Sequence, residues 1–191
     1  MNYTLTEIEN LGIRVGLNPR IHKSVLFFNP EKIILGHHVR IDCFSMLSAG
    51  DEGITIGRNV HIAVSSYIFG AGGRVVLSDF SGLSARVTLF TATDDYSEGY
   101  LTNPTVPERY KKVKRGSIIL EPHVDIGAAS VILPGVTLGR GSSVGAMSLV
   151  HQNVGEYEVV FGIPSRVIGR RDSNKLQQLE KAYLEGEGRV G

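Results

Sequence analysis

Apolar residues recur at every sixth position in long stretches of this 191-residue chain, and this spacing restricts the folds open to it. Six residues of an α-helix turn through about 600°, so successive members would not share one face. A short strand followed by a turn does fit the period, because each strand contributes one inward side chain. The longest series is Leu120, Ile126, Ile132, Leu138, Val144 and Val150, and shorter ones are Leu35, Ile41, Leu47; Ile56, Ile62, Ile68; and Leu77, Leu83, Leu89. The pattern predicts stacked coils of three hexads each, a parallel β-helix.

The hexad register is interrupted at three places of unequal size. Residues 49–54 and 70–74 add a residue or more, which predicts small bulges between coils. Residues 94–117 are polar, contain Pro104 and Pro107 and follow no hexad, so we expect a loop that leaves the coil. A loop of this length is usually functional.

The chain divides on this basis into a long coil and a short C-terminal segment. Residues 1–170 are predicted to form the β-helix with an N-terminal cap and the extruded loop, and residues 171–191 a helix and tail. Ser173 and Asn174 are suitable N-caps for this helix. Its expected apolar face consists of Leu176, Leu179 and Tyr183. Because solenoids need covered ends, we expect the helix to plug the open end of the coil.

Composition excludes several classes of function. Twenty basic residues stand against 19 acidic ones, so there is no electrostatic argument for binding nucleic acid or an anionic membrane. No stretch approaches the roughly 18 apolar residues of a membrane span, and the first residues do not resemble a signal peptide. Cys43 is the single cysteine, which favours a reducing compartment. We therefore expect a cytoplasmic protein that binds neither nucleic acid nor membrane.

Four segments resemble the hexapeptide-repeat acyltransferases, in particular the sugar acetyltransferases of surface-polysaccharide biosynthesis. They are GSIILEPHVDIGAASVILPGVTLGRGSSVGAMSLV (116–150), TATDDYS (91–97), LTNPTVP (101–107) and FGIPSRVIGR (161–170). The branch resembled includes acyltransferases of nucleotide-linked 4-amino-4,6-dideoxy sugars. The resemblance implies an all-β, single-stranded left-handed β-helix, a homotrimer with sites between neighbours, acetyl-CoA as co-substrate and a sugar hydroxyl or amine as acceptor. The handedness rests on the resemblance alone.

Acyl transfer within a ternary complex requires a positioned nucleophile, a base and donors for the oxyanion. The family's usual base is a histidine at the entry to the loop, and the matching residue here is Asp94. A carboxylate of ordinary pKa is a weak base for a sugar hydroxyl, so either the base lies elsewhere or the acceptor is an amine, which needs less help. His61 is the first candidate for a relocated base, facing Asp94 or Asp95 of a neighbouring subunit; the alternative is an exposed corner histidine.

The resemblance also implies ligand contacts, each of which could instead be turn chemistry or a solvated surface. Small residues at stacked corners would leave a groove for the pantetheine chain of CoA, and basic side chains would bind its phosphates. The candidate CoA residues are Gly127, Ala128, Gly145, Ala146, His151, Gln152, Arg166 and Arg170. The candidate acceptor residues are Tyr96, Asn103 and Tyr110 in the loop and His123 after it.

Two other functions are compatible with a hexapeptide coil. A carbonic-anhydrase-like hydratase uses the same fold with three histidines around a metal ion. The six histidines here do not fall on adjacent coils in ligand register, apart from the His37–His38 pair, and we expect no metal requirement. The third possibility is a catalytically inactive binding scaffold, in which the missing loop histidine marks a lost site.

Overall fold

The structure is a computed structural model that describes residues 1–187, and most of it is one coil with three parallel sheets. The first sheet contains β1 (Arg14–Val15), β4 (Ile33–Leu35), β7 (Ile54–Ile56), β10 (Val75–Leu77), β15 (Ile118–Leu120) and β18 (Thr137–Leu138). The second contains β2 (Arg20–Ile21), β5 (Arg40–Ile41), β8 (His61–Ile62), β11 (Gly82–Leu83), β16 (Asp125–Ile126), β19 (Ser143–Val144), β21 (Glu158–Phe161) and β22 (Arg166–Arg170). The third contains β3 (Leu26–Phe28), β6 (Met46–Ser48), β9 (Tyr67–Phe69), β12 (Thr88–Phe90), β17 (Val131–Ile132) and β20 (Leu149–Val150).

The hexad residues form the core of this coil. All fifteen members of the predicted series are buried, with at most 3% of their surface exposed. Apart from β22, which pairs antiparallel with β21, each strand pairs in parallel with the strand one coil away, so that Ile62, Leu83 and Ile126 stack directly on one another. Burial of aliphatic side chains in such a stack stabilises the fold by about 25 cal/mol per Å² removed from water. The prediction of a left-handed parallel β-helix is confirmed.

Two of the three corners use the same backbone device in most coils. A residue with positive φ, usually not a glycine, lies in the turn after the first sheet and, from the second coil onwards, in the turn after the second sheet. At the first corner these residues are Asn18, His38, Asn59, Phe80, His123, Gly141 and Tyr157. At the second corner they are Phe44, Ser65, Arg86, Ala129 and Met147. A left-handed residue is uncommon outside glycine, so the stacked coils hold these residues in place.

The loop interrupts the coil between the third and first sheets. It begins with β13 (Ala92–Asp94) and returns through β14 (Val113–Arg115), which pair antiparallel, and a 3-10 turn spans Glu108–Tyr110. The sequence predicted a loop over residues 94–117 that leaves the coil, and the structure adds this short ladder at its base. The chain rejoins the coil where Gly116 N–H donates to the Thr91 carbonyl at 2.9 Å.

Two helices flank the coil, and a second 3-10 turn lies at Pro30–Lys32. Helix α1 (Leu5–Asn10) begins with a capping box between Thr4 and Glu7 and buries Ile8 completely. Helix α2 (Ser173–Glu187) has Asp172 as its N-cap, because the Asp172 carboxylate accepts the Lys175 N–H at 3.0 Å.

Helix α2 does not plug the end of the coil as expected. It lies along the first corner, where Tyr183 packs edge-on against Phe80 and its hydroxyl accepts from the Asn59 side chain at 2.7 Å. Leu179 was placed on the buried face but is 59% exposed. The amphipathic stripe identified a helix without indicating which surface of the coil it covers. The final residues of the predicted tail, 188–191, lie outside the described residues.

Candidate active site

An open cleft of about 810 Å³ lies between the loop and the third sheet. Its apolar wall is the outer surface of β12, β17 and β20, and its polar wall is the loop. The lining residues are Phe90, Ala92, Thr93, Asp94, Asp95, Tyr96, Ser97, Pro104, Glu108, Lys111, Val113, Lys114, Arg115, Val131, Leu133 and Leu149. A cleft with one apolar wall and a few polar groups on the other is typical of a ligand site.

Asp94 and Asp95 both line this cleft but have different surroundings. One oxygen of Asp94 accepts the Asn103 N–H at 3.0 Å. Asp95 accepts hydrogen bonds from the Ser97 N–H, the Ser97 hydroxyl and the Glu98 N–H. The hydrogen bonds from Ser97 are the main reason that the pKa of Asp95 is lowered. Asp95 therefore organises the loop turn, and Asp94 has the more available carboxylate.

The three loop residues proposed to contact the acceptor are not equally placed. Tyr96 lines the cleft, is 83% exposed, and its hydroxyl lies 2.8 Å from the Thr93 hydroxyl. Asn103 supports Asp94 through its N–H, while its side-chain oxygen accepts from Thr105. Tyr110 stacks beneath the Arg109 guanidinium and is not among the lining residues.

The small residues proposed for CoA binding form a column on the second corner. Gly127 N–H donates to the Val144 carbonyl at 2.7 Å, and Gly145 N–H donates to the Val160 carbonyl at 2.8 Å. A Cβ on Gly127 would come within 2.5 Å of Ala146 N, and one on Gly145 within 2.4 Å of the Phe161 ring. Gly127 is thus required by the backbone of the next coil, whereas a side chain at Gly145 would require the Phe161 ring to move. Within residues 1–187 the N–H groups of Ala128 and Ala146 make no such bond, so they remain available as donors.

Ser84 occupies the equivalent position one coil before Gly127 on this column. Its N–H donates to the Ile126 carbonyl, as Gly127 N–H does to Val144. A small cavity of about 210 Å³ opens here, lined by His61, Ala63, Gly82, Leu83, Ser84, Ala85 and Asp125. Sequence reasoning missed Ser84 and Asp125, because their association with His61 depends on the register of three coils.

His61 lies on the second sheet, away from the loop of its own chain. Its Nε2 lies 2.8 Å from Asp42 Oδ2, and the other oxygen of Asp42 accepts from Arg40 Nε at 2.7 Å. Burial raises the pKa of Asp42, but the hydrogen bonds from Arg40 and His61 outweigh it, so the pKa is lowered overall. The carboxylate partner of His61 within the chain is therefore Asp42 rather than Asp94 or Asp95.

The remaining candidates lie at the C-terminal end of the coil and beneath α2. His151 and Gln152 are exposed after β20, and Arg166 and Arg170 are exposed on β22. Arg170 donates to the Glu156 carbonyl at 2.8 Å, whereas Arg166 only reaches the neighbouring Ser165 carbonyl at 3.1 Å. Arg166 therefore has the freer guanidinium for a phosphate.

His123 lies beneath α2 rather than at the cleft. Its side chain is 9% exposed, its Nε2 lies 3.0 Å from Glu180 Oε1, and its ring stacks on Phe80 at 4.9 Å. This placement gives the ring structural partners, and we do not include His123 in the acceptor site proposed below.

Two features missing from the described part of the chain bear on other functions. No group of three His, Cys, Asp or Glu side chains comes together there in a way that could hold a metal ion. None of the helices within residues 1–187 is long and apolar enough to cross a membrane.

The chain is similar over most of its length to characterised acyltransferases, although no protein-family model matches it. It is 38% identical over 178 residues to a dTDP-4-amino-4,6-dideoxy-D-glucose acyltransferase from Escherichia coli, covering 93% of this chain and 92% of that protein. AntD, an N-acyltransferase from Bacillus cereus crystallised with dTDP and 3-hydroxybutyryl-CoA, superposes with a TM-score of 0.92 at 37% identity, each chain covering 98% of the other.

Further AntD structures, of S84C and D94N variants, contain CoA with dTDP-4-amino-4,6-dideoxyglucose or with dTDP. A maltose O-acetyltransferase from Clostridium difficile shares the fold at a TM-score of 0.56 and 19% identity. The similarity to the E. coli and B. cereus enzymes extends through the coil, the loop and the C-terminal segment. It confirms the prediction that the chain is an acyltransferase. The chain belongs to the left-handed β-helix acyltransferase family that contains dTDP-4-amino-4,6-dideoxyglucose acyltransferases.

Proposed function

We propose that this protein transfers an acyl group from an acyl-CoA to the 4-amino group of a dTDP-linked 4-amino-4,6-dideoxy sugar, in surface-polysaccharide biosynthesis in the cytoplasm. The observation that carries the proposal is the 38% identity across 93% of the chain to an enzyme named for this acceptor. AntD, which covers 98% of this chain, binds dTDP and an acyl-CoA together, which supports direct transfer in a ternary complex. Acetyl is the acyl group proposed from the sequence, and 3-hydroxybutyryl is the alternative that AntD supplies. No metal is needed.

The site is completed, in this proposal, by a neighbouring subunit of a homotrimer. The second corner carries Ser84 and the CoA column, whereas Asp94 lies in the cleft beside the third sheet. The S84C and D94N variants of AntD carry the numbers of these two residues, which supports a shared role. A trimer would bring the second corner of one subunit against the loop of the next, and a cyclic contact leaves no unpaired face.

The residues have distinct roles in the transfer. The amine nitrogen attacks the thioester carbon, the new C–N bond replaces the C–S bond, and one proton moves from nitrogen to the departing CoA sulfur. Asp94 accepts an N–H of the amine and so directs the lone pair towards the thioester. Ala128 and Ala146 offer N–H donors along the pantetheine chain, and Arg166 offers a guanidinium to a CoA phosphate. Tyr96 forms the outer edge of the acceptor site.

The proposal is tested by measuring the release of free CoA thiol with purified protein. Acetyl-CoA and 3-hydroxybutyryl-CoA are each offered with dTDP-4-amino-4,6-dideoxyglucose, with dTDP-glucose and with an unmodified oligosaccharide. We expect turnover only with the amino sugar, because a neutral amine is a better nucleophile than a hydroxyl. Absence of turnover with every pair, together with no binding of CoA, would refute the proposal and favour the inactive scaffold.

Subunit sharing has its own test, based on two inactive variants. Ser84→Leu inactivates the second corner and Asp94→Ala inactivates the loop cleft. When the two variants are unfolded, mixed and refolded, some sites in the mixed trimers combine an intact second corner from one subunit with an intact loop cleft from its neighbour. We expect thiol release to reappear in the mixture, and light scattering to give three times the mass of one chain. If the mixture stays as inactive as its components, both residues belong to a site within one subunit.

Replacement of Asp94 and of His61 separates their roles. We expect Asp94→Asn to lower kcat/KM by about 10- to 100-fold, the value of a charge-assisted hydrogen bond. His61→Ala should lower kcat if His61 relays the proton, and Asp42→Asn should reproduce part of that loss by releasing the ring. Full activity of His61→Ala in steady-state assays would remove His61 from the mechanism without affecting the role of Asp94.

A further inference from the structure

A second cavity on the coil has no role in the function proposed above. It has a volume of about 390 Å³ and lies near the N-terminal end of the second corner. Its lining residues are Asn2, Arg20, His22, Arg40, Ile41, Asp42, Cys43 and Val64. None of them lines the loop cleft, and His61 connects the two regions of the corner through its contact with Asp42.

Two arginines dominate the charge of this cavity. Arg20 on β2 pairs in register with Arg40 on β5, so the side chains project from neighbouring strands about 4.8 Å apart. Arg40 uses Nε to bind Asp42, and its remaining nitrogens have no hydrogen bond within residues 1–187. The Arg20 side chain has neither a hydrogen bond nor an ion pair in the described structure. Two guanidinium groups so placed repel each other until an anion lies between them.

Asp42 and His22, which also line the cavity, already have partners. Asp42 is occupied on one oxygen by Arg40 and on the other by His61, which lowers its pKa against the effect of burial and keeps it ionised. His22 Nδ1 lies 2.8 Å from the Ser24 hydroxyl. Two arginines against one carboxylate leave a net positive charge of one in the cavity, which favours a phosphate group.

The cavity also lies at a suitable distance from the proposed reaction centre. Asp42, Ala63 and Ser84 occupy the same corner position in three successive coils, because each donates its N–H to the coil that follows. Two coil steps separate Asp42 from Ser84, or about 10 Å. A hexose linked through its 1-phosphate extends over such a distance, with the 4-amino group at one end and the diphosphate at the other.

We propose, on the basis of the acceptor assigned above, that Arg20 and Arg40 bind the diphosphate of the sugar nucleotide. The nucleotide then occupies the N-terminal half of the second corner and CoA the C-terminal half, and their reactive groups meet near Ser84. Cys43 lines the same cavity and is the single cysteine of the chain, so it reports on occupancy without any need for turnover.

The test is the rate at which a fluorescent maleimide labels Cys43 in the presence of dTDP, inorganic pyrophosphate or thymidine. We expect dTDP to slow labelling, pyrophosphate to do so at higher concentration, and thymidine at the same concentration to have little effect. In Arg20→Ala and in Arg40→Ala, the dTDP concentration for half protection should rise at least about tenfold, as expected for loss of charge-assisted bonds. Arg40→Lys should weaken dTDP protection less than Arg40→Ala does, because lysine keeps the positive charge.

Arg14→Ala is the matched control, since Arg14 lies in the same coil as Arg20 but on the first sheet. Unchanged dTDP protection in both Arg20→Ala and Arg40→Ala would overturn the inference, as would the absence of any dTDP protection in the wild-type protein. If the amino sugar is turned over but dTDP binding is unchanged in both arginine variants, this inference fails and the proposed function stands. Arginine-dependent protection by pyrophosphate without any turnover would instead support the diphosphate site and count against the proposed function.

Discussion

The first and second corners of the coil have the same backbone turn but opposite surroundings. At the first corner, Phe80 stacks on His123 and α2 covers both. At the second corner no helix lies over the coil in the described structure, and the equivalent positive-φ column contains Phe44, Ser65, Arg86, Ala129 and Met147. The stacked rings of Phe80 and His123 give α2 a surface on which to pack, whereas Phe44 and Met147 at the second corner are 64% and 68% exposed. The difference indicates that the same backbone turn serves both corners and that contacts with α2 decide which corner stays open to a ligand.

A bulky side chain at the open second corner should have the largest effect on activity. Ser84→Leu adds a bulky side chain where the two substrates are proposed to meet, and we expect kcat/KM to fall by about 100-fold or more because the reacting groups are displaced. The unfolding temperature should change little, since the Ser84 side chain is not part of the core. Ser84→Ala is the control and should retain more activity than the leucine variant. Wild-type activity in Ser84→Leu would show that the open corner is not the reaction site.

Removing a large side chain from the covered corner should lower the stability of the fold and leave activity nearly unchanged. Phe80→Ala removes the ring that contacts both His123 and Tyr183, and we expect the free energy of unfolding to fall by about 2 kcal/mol, less than for a fully buried ring. Activity at a temperature where the variant is folded should stay within a few fold of wild type. Chemical unfolding followed by circular dichroism measures the free energy of unfolding. A large loss of kcat in fully folded protein would contradict the division between the corners.

The smallest effect concerns Glu180, which joins α2 to the covered corner. Its carboxylate contacts His123 and Arg140; His123 lowers its pKa, burial raises it and Arg140 lowers it again, with a net lowering. A lowered folded pKa stabilises the fold above the unfolded value, and this contribution is lost as pH falls through the folded value. Glu180→Gln should therefore cost about 1 kcal/mol at pH 7, and the difference from wild type should shrink below pH 4.5.

Glu185→Gln is the comparison for this last measurement. Among residues 1–187, Glu185 makes only an exposed ion pair with Lys181 at 3.8 Å, so its replacement should leave the pH dependence of unfolding unchanged. An equal effect of both substitutions would show that Glu180 acts through the general charge of α2 rather than through the covered corner.

The period of six was sufficient to predict the coil, because the aliphatic residue of each hexad can be buried only if the hexads stack. The candidate site was predictable only in part. His61 and His123 were both candidate site histidines in the sequence, yet one lies on β8 beside Asp42 and the other in a turn beneath α2. Their partners, Asp42 and Glu180, are 19 and 57 residues away, and only the register of the coils and the docking of α2 bring them together. Ser84 was missed for the same reason.

The point where the loop rejoins the coil has a consequence for how this enzyme can diversify. Thr91 and Gly116 are joined by a hydrogen bond, and on either side of the insertion β12 pairs with β17 and β10 with β15 as though the chain were continuous. The ladder of the coil is thus intact although the loop is inserted between those two residues. Because the loop carries residues proposed to contact the acceptor, we expect relatives to differ in acceptor through this segment while they keep the strand pairing of the coil.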